Sequence, residues 1–136
     1  MTIDKKSLVL RAEAARKYAY APYSRFKVGA ALLAASGKVY TGCNVENASY
    51  GATVCAERTA LFKAISRGDR SFVAIAVTAG ETACPPCGIC RQTLAEFCPP
   101  EFEIITADGD KIESKSLGEL LPFAFDKERI KQRSNR

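Results

Sequence analysis

Three cysteines and one glutamate are spaced in this chain as hydrolysis at a metal ion requires. Cys55-Ala56-Glu57 is followed about thirty residues later by Pro86-Cys87-Gly88-Ile89-Cys90. Three thiolates can bind one Zn²⁺ and leave its fourth position open to water. A carboxylate two residues from the first thiolate can then move that water's protons. We interpret Cys55, Cys87 and Cys90 as metal ligands and Glu57 as the catalytic acid and base.

The absence of histidine strengthens the assignment of Glu57. It excludes histidine general bases, Cys-His and Ser-His nucleophile pairs, and histidine-ligated metals. Three thiolates around Zn²⁺ leave a net charge of about −1. Arg58 can offset that charge by donating hydrogen bonds to the cysteine sulfurs. A surface salt bridge is the ordinary alternative role for Arg58.

Two other metal sites would use the neighbouring Cys84. The spacing of Cys84, Cys87 and Cys90 resembles the start of an iron–sulfur run, but Leu94 stands where a fourth cysteine is expected. A structural zinc with Cys84 as fourth ligand is the stronger alternative, because closed zinc sites take four protein ligands. That site would leave Glu57 without a function.

Length and composition indicate one compact domain. The chain has 136 residues, of which 47% are hydrophobic and 26% charged, and this suits a single core. We predict one catalytic domain over residues 1–125 and a flexible, basic C-terminal tail over 126–136. The tail holds five basic and two acidic side chains, so it contributes +3 of the chain's net charge of +5. Because a solvated tail explains most of the charge, nucleic acid is not favoured as a partner.

Cysteine usage and the chain start favour a cytoplasmic protein with no membrane partner. No run approaches eighteen apolar residues, and the first twenty residues are too charged for a secretory signal. Three of the six cysteines crowd into positions 84–90, which favours thiolate chemistry in a reducing compartment over disulfides. Cys43 and Cys98 are predicted to be small buried hydrophobic residues.

Local patterns predict alternating helices and strands. Helices are predicted from Asp4 to a point before Pro22, and over residues 55–67, 87–97 and 116–121. Strands are predicted over residues 26–34, 38–44, 72–78, 102–107 and 111–114, the first two joined by a Ser36-Gly37 turn. The order predicts a three-layer α/β/α sandwich with a mixed sheet of about five strands, antiparallel at its hairpin and parallel through the crossover helices.

These elements place the predicted ligands at two helix starts. Cys55 falls at the start of the second helix, and Cys87 and Cys90 fall in the first turn of the third. Unpaired N–H groups and the helix dipole favour thiolates at such positions. The spacing of Cys87 and Cys90 puts both sulfurs on one helix face. Gly88 between them is predicted to allow a close approach of backbone.

Motifs along most of the chain resemble the small homotetrameric, zinc-dependent cytidine deaminases whose three metal ligands are all cysteines. The resemblance covers roughly residues 8 to 125 and rests on segments 20–24, 26–31, 42–50, 55–60, 86–92 and 120–125. Zinc deaminases of other substrates typically have His where this chain has Cys55. Cys84, Phe123 and the tail depart from the family pattern. The resemblance implies a cytidine deaminase-like fold, one Zn²⁺ per subunit and active sites shared across a homotetramer.

The resemblance also implies roles for residues around the metal. Asn44 and Glu46 would bind the ribose 3′-hydroxyl, with Val45 between them on the same strand end. Phe26 would pack against the pyrimidine. Without the family, Asn44 and Glu46 are equally explained as turn or cap residues at the end of a strand.

Further residues are implied on the base and at subunit interfaces. Backbone groups near Ala56 and Pro86 would recognise the exocyclic amine and N3 of the ring. Ala48 and Tyr50 would reach the neighbouring subunit's substrate, and Phe125 the base bound by a further subunit. From sequence alone, Tyr50 and Phe125 are equally explained as core aromatics.

The function implied is hydrolytic deamination of free cytidine and deoxycytidine to uridine and deoxyuridine, a step of pyrimidine salvage. A zinc hydroxide would attack C4, and Glu57 would shuttle protons to N3 and to the departing ammonia. One alternative is a zinc deaminase of another aminopyrimidine nucleoside, such as a blasticidin-type antibiotic. A nucleic-acid-binding module with a structural zinc is less favoured, because the chain lacks a basic stripe interleaved with aromatic residues.

Overall fold

Five strands form one mixed sheet in the computed structural model, which describes residues 2–134. The order across the sheet is β2-β1-β3-β4-β5. Strands β3 and β4 are parallel, and the other neighbouring pairs are antiparallel. The predicted mixed sheet is therefore confirmed. The strands are β1 (Gly29–Ala34), β2 (Val39–Cys43), β3 (Phe72–Thr78), β4 (Glu103–Asp108) and β5 (Lys111–Ser116).

Helices cover both faces of the sheet. They are α1 (Lys5–Arg16), α2 (Ala56–Ser66), α3 (Gly88–Phe97), α4 (Leu117–Leu120) and α5 (Lys127–Ser134), with a 3-10 turn at Tyr50–Ala52. Leu8 and Ala12 of α1 pack on the face that carries Ala31. Leu61 of α2 and Leu94 of α3 belong to the cluster on the opposite face. Because successive strand residues point to opposite faces, the apolar central strands fill both layers, and the predicted three-layer sandwich is confirmed.

Local signals fix the ends of several elements. The Asp4 carboxylate accepts a hydrogen bond of 3.0 Å from the backbone N–H of Ser7, which caps α1 as predicted. That helix ends at Arg16, earlier than the expected limit before Pro22. Gly37 turns the first hairpin with a positive φ of 92°, a conformation that glycine adopts without steric cost.

A glycine sets the distance between β2 and α2. A Cβ atom at Gly42 would lie 2.5 Å from the backbone nitrogen of Ala60 and 2.6 Å from the carbonyl oxygen of Ala56. Only glycine therefore allows this strand to lie so close to the first turn of α2. The contact matters for the site, because α2 directly follows Cys55 and β2 leads directly into Asn44.

The C-terminal segment contains a helix that the sequence analysis did not include. Residues Lys127–Ser134 form α5, whereas the tail was expected to be flexible over residues 126–136. Residues 135 and 136 lie outside the described part of the chain. The boundary between a catalytic domain over 1–125 and a separate tail stays a prediction.

Candidate metal and substrate site

Three cysteine sulfurs converge at the starts of α2 and α3. Cys55 is the N-cap of α2, Cys87 is the N-cap of α3, and Cys90 lies buried in the first turn of α3. Neither N-cap side chain accepts a capping hydrogen bond from the backbone of its own helix, so both sulfurs are available to a ligand. The three sulfurs all lie within 4.8 Å of one another. The predicted positions of all three cysteines agree with this arrangement.

The spacing of the sulfurs fits a tetrahedral zinc. A Zn–S bond of about 2.3 Å in a tetrahedral site separates two sulfurs by about 3.8 Å. The Sγ atoms of Cys55 and Cys87 are 3.8 Å apart. Cys84 does not belong to the cluster of sulfurs, and this geometry supports three protein ligands with a fourth position for water. Gly88 does not provide the close backbone approach that the sequence predicted, because a Cβ there would meet no atom within 4 Å.

The thiols of the cluster ionise unequally. A hydrogen bond from Cys90 is the largest cause that lowers the pKa of Cys55, and hydrogen bonds from Arg58 and Cys87 lower it further. The pKa falls to about 5 although burial opposes the change. The same hydrogen bond to Cys55, followed by burial, raises the pKa of Cys90. Without metal the cluster therefore keeps a thiolate at Cys55 and a proton at Cys90. Because zinc binds thiolates, its binding releases the proton of Cys90.

Glu57 is buried next to the cluster. It is the second residue of α2, and only 4% of its surface is exposed. Burial raises its pKa to about 7, and the negative charge of Cys55 adds to the rise. A carboxyl group with a pKa near neutral pH can both accept and return a proton. The geometry thus gives Glu57 the properties needed for the predicted acid and base role.

Arg58 lies against the same cluster from the side of α2. One terminal nitrogen of its guanidinium lies 3.6 Å from Sγ of Cys55 and 3.3 Å from the carbonyl oxygen of Thr53. Its Nε is buried with no hydrogen-bond partner among the described residues. No salt bridge to Arg58 is found among the described residues, so the geometry favours the predicted donation to a cysteine sulfur.

A cavity of about 260 Å³ opens beside the cluster. Its walls include Phe26, Asn44, Glu46 and Ala56, together with Glu57 and the sulfur-bearing residues Cys55, Cys84 and Cys87. This volume is close to the lower end of small-molecule pockets, which span about 300–1,000 Å³. The ring of Phe26 is 48% exposed and presents an apolar surface on which a planar ligand can pack.

The side chain of Asn44 holds the segment that precedes β1. Its Oδ1 accepts from the backbone N–H of Val28 at 2.8 Å, and its Nδ2 donates to the carbonyl oxygen of Phe26 at 2.8 Å. The turn-like role considered from sequence is therefore part of its function in the fold. The amide retains one further N–H and one lone pair, and these can serve a ligand in the cavity. The adjacent Val45 is 44% exposed and bridges Val54 through its backbone.

The Glu46 carboxylate is held in place by three donors. Oε1 accepts from the backbone N–H of Tyr23 at 2.9 Å and of Ser24 at 3.1 Å, and Oε2 accepts from the Ser24 hydroxyl. The hydrogen bond from the Ser24 hydroxyl is the largest cause that holds the pKa of Glu46 below its ordinary value, and the two backbone hydrogen bonds lower it further. Glu46 is therefore an oriented, ionised acceptor at the edge of the cavity.

Five residues predicted for substrate binding lie outside this cavity of the single chain. Val45, Ala48 and Phe125 do not line it. Tyr50 stands beside it, 76% exposed, with its ring centroid 5.9 Å from that of Tyr23. Pro86 is buried behind the wall, and its carbonyl accepts from Nε of Arg91 at 2.8 Å.

Sequence reasoning missed four residues of the cavity wall. Ser24, Val28, Thr53 and Pro85 line it with the predicted residues. Ser24 lies within the motif segment 20–24. Its hydroxyl is a common partner for a nearby carboxylate or backbone group. No local signal pointed to Thr53 or Pro85, because both reach the cavity through irregular loops.

Comparisons with known proteins agree with the site. Residues 2–106 match the family model for the cytidine and deoxycytidylate deaminase zinc-binding region. The chain is 54% identical over 126 residues to a cytidine deaminase of Halalkalibacterium halodurans, covering 90% of this chain and 95% of that one. It is 51% identical over 129 residues to a cytidine deaminase of Sporosarcina psychrophila, covering 93% of this chain and 94% of that one.

Solved structures give the same result for the fold. A crystal structure of cytidine deaminase from Burkholderia pseudomallei aligns with a TM-score of 0.86 at 50% identity, over 90% of this chain and 100% of that chain. The cytidine deaminase from Mycobacterium tuberculosis aligns with a TM-score of 0.83 at 44% identity, over 91% of this chain and 98% of that chain.

Proposed function

The chain belongs to the cytidine and deoxycytidylate deaminase family, and we infer from this membership and from the site that it hydrolyses free cytidine and deoxycytidine. Cytidine and water give uridine and ammonia. The observation that carries the proposal is the buried carboxyl of Glu57 beside three sulfurs that lie within 4.8 Å of one another. Such a pairing of a metal site and a tuned carboxyl suits replacement of an amino group by water.

Cys55, Cys87 and Cys90 hold one zinc per chain in this proposal. Zinc bound there supplies Lewis acidity that makes a water at its fourth position more acidic. Glu57 accepts the proton of the attacking water and delivers it to N3 of the ring, which makes C4 more electrophilic. The same carboxyl then relays a proton to the departing amino group. Arg58 offsets the negative charge of the thiolates.

Residues of the cavity wall and next to it orient the nucleoside in this proposal. The pyrimidine packs on Phe26, and the backbone beside Ala56 and before Pro86 recognises the amine and N3. Asn44 and Glu46 bind the ribose 3′-hydroxyl, with Val45 as the spacer between them. Support comes from the oriented carboxylate of Glu46 and the spare donor and acceptor of Asn44.

The charge of the walls favours a nucleoside over a nucleotide. A second cavity of about 360 Å³ adjoins the first and shares Ser24, Glu46 and Thr53 with it. Among the described residues that line the two cavities there is no lysine or arginine, whereas Glu46 contributes a carboxylate. A 5′-phosphate would therefore meet like charge without a counterion, and deoxycytidylate should be a poor substrate.

Two measurements on one sample test the reaction. The fall in ultraviolet absorbance of cytidine reports deamination, and metal analysis of the same protein reports zinc. Glu57→Gln should keep about one zinc per chain and lose roughly 10²–10⁴ in kcat. The exposed Glu96→Gln is the control and should match the parent. Near-normal turnover by metal-loaded Glu57→Gln would refute the role of Glu57, and full zinc without turnover of cytidine would refute the substrate.

The proposal includes a homotetramer with shared active sites. Tyr50, Phe123 and Phe125 are 76%, 97% and 64% exposed in the single chain, and aromatic residues are enriched at protein–protein interfaces. Ala48 and Tyr50 would complete one neighbour's site, and Phe125 another's. Light scattering coupled to size exclusion checks this assembly, and a monomer with full activity would refute the shared sites.

A cytoplasmic location in pyrimidine salvage completes the proposal. All six cysteines are free, which suits a reducing compartment. Within residues 2–134 no helix has the length and apolar character needed to cross a bilayer.

A further inference from the structure

A basic cleft lies along the edge of the sheet at β2 and is lined by residues of α1, of β2 and its turn, and of the α2 region. It consists of two cavities, of about 500 Å³ and 550 Å³, which share Arg11, Thr41 and Lys63 in their walls. Each cavity has a volume within the usual range for small-molecule sites, about 300–1,000 Å³. The cations that line the basic cleft are Arg11, Lys17, Lys38, Lys63 and Arg67.

No acidic side chain balances these cations within the cleft. Among the described residues that line the two cavities there is neither aspartate nor glutamate. Asp69, which lies behind Tyr40, does not line the cleft and accepts hydrogen bonds from the hydroxyls of Tyr40 and Ser36. Like charges gathered in a concave surface repel one another and raise the local concentration of anions. The cleft therefore suits a ligand with several negative charges.

The two ends of the basic cleft differ in chemistry. Lys38, Lys63 and Arg67 gather at the end formed by β2 and the last turn of α2. The other end presents Ala14, Ala15 and Gly42 next to the exposed ring of Tyr18. The ammonium of Lys17 lies 5.4 Å from the centroid of that ring. One end thus suits a chain of phosphates and the other a planar ring.

From these features we propose that the basic cleft binds a nucleoside triphosphate, with its phosphates on Arg11, Lys38, Lys63 and Arg67 and its base against Ala14, Ala15 and Tyr18. The cleft is separate from the cavity beside the cysteines, because the two share no lining residue. Helix α2 lies between them, with Lys63 facing the cleft and Glu57 facing the cysteines. The phosphate chain provides most of the affinity, and the base adds to it.

Isothermal titration of the full chain tests the site with adenosine triphosphate and with inorganic tripolyphosphate as probes. Saturating uridine keeps the cavity beside the cysteines occupied during the titration. Adenosine triphosphate should bind more tightly than tripolyphosphate, and raising the salt from about 50 to 300 mM should weaken both at least tenfold. A Lys38→Gln, Arg67→Gln double variant should weaken binding about tenfold or more, because it removes two of the cations.

A matched double variant separates this site from general attraction to a basic protein. Lys6→Gln with Lys115→Gln removes the same charge from exposed positions that do not line the cleft and should change the affinity less than about twofold. Equal weakening by both double variants would overturn the proposal, as would no binding of either probe at low salt. Equal affinity for the two probes would overturn the place assigned to the base.

Discussion

Gly42→Ala tests the contact that positions α2 against β2. The added Cβ would lie 2.5 Å from the nitrogen of Ala60 and 2.6 Å from the oxygen of Ala56, whereas ordinary contacts begin at 3.4 Å. Both atoms belong to helix backbone, so neither can turn away as the end of a side chain can. We expect α2 to move away from β2 by roughly 1 Å, which follows from the difference between these distances.

The size of the effect follows from this displacement. Forcing one carbon into a packed core costs about 1–3 kcal/mol, and a clash with two backbone atoms of α2 belongs at the upper end. For a domain of this length, about 3 kcal/mol lowers Tm by about 10 °C. Because α2 carries Glu57 and follows Cys55, a shift of about 1 Å should also lower kcat by roughly 100-fold.

Calorimetry and steady-state kinetics on zinc-loaded protein measure the two effects. Gly51→Ala is the control, because a Cβ at that glycine meets nothing within 4 Å and its φ is not in the left-handed region. The control should keep Tm within about 2 °C of the parent. A Gly42→Ala variant with the parent's Tm and kcat would refute the reasoning. A lowered Tm with unchanged kcat would show that α2 keeps the site aligned despite the clash.

Three further outcomes are expected. Cys84→Ser should keep about one zinc per chain after dialysis, whereas Cys87→Ser should lose it, because Cys84 lies outside the cluster of sulfurs. Equal loss of zinc from the two variants would contradict binding by three cysteines. Asp4→Ala should lower the free energy of unfolding by about 1 kcal/mol through loss of the α1 cap, with exposed Glu101→Ala as the control in the same denaturant titration. Ser24→Ala should raise the pKa of Glu46, since the Ser24 hydroxyl is the main cause of its lowered value. As the pH falls, Glu46 of the variant would therefore become protonated at a higher pH than in the parent. The affinity for uridine, measured from about pH 4 to 6, should start to weaken at a correspondingly higher pH. Coincident pH profiles of the two proteins would contradict this prediction.

Much of the fold was predictable because its signals are local. The apolar run at Phe72–Thr78 gave β3, and the capping signal at Asp4 gave the start of α1. The placement of Cys55 and Cys87 at helix starts was also correct. These features depend on residue type and spacing within a few positions, which is the information that one sequence contains.

Features that depend on distant segments were not predictable. The closeness of Gly42 to α2 involves residues about fifteen positions apart, and no periodic pattern encodes it. Gly88 was assigned a close contact because it lies between two ligands, yet the space beside it is open. The three donors on Glu46 come from residues more than twenty positions earlier. The helix at Lys127–Ser134 is strongly charged, so its sequence resembles that of a solvated tail.

Two acidic groups at one helix start have opposite ionisation, and burial accounts for the difference. The dipole at the start of α2 favours a negative charge on both Cys55 and Glu57. Cys55 is half-buried and accepts hydrogen bonds from Cys90 and Arg58, so its pKa falls to about 5. Glu57 is 4% exposed, and burial outweighs the dipole and raises its pKa to about 7. A thiolate for the metal and a carboxyl that exchanges protons near neutral pH therefore arise two residues apart from one backbone geometry, because Glu57 is buried much more deeply than Cys55.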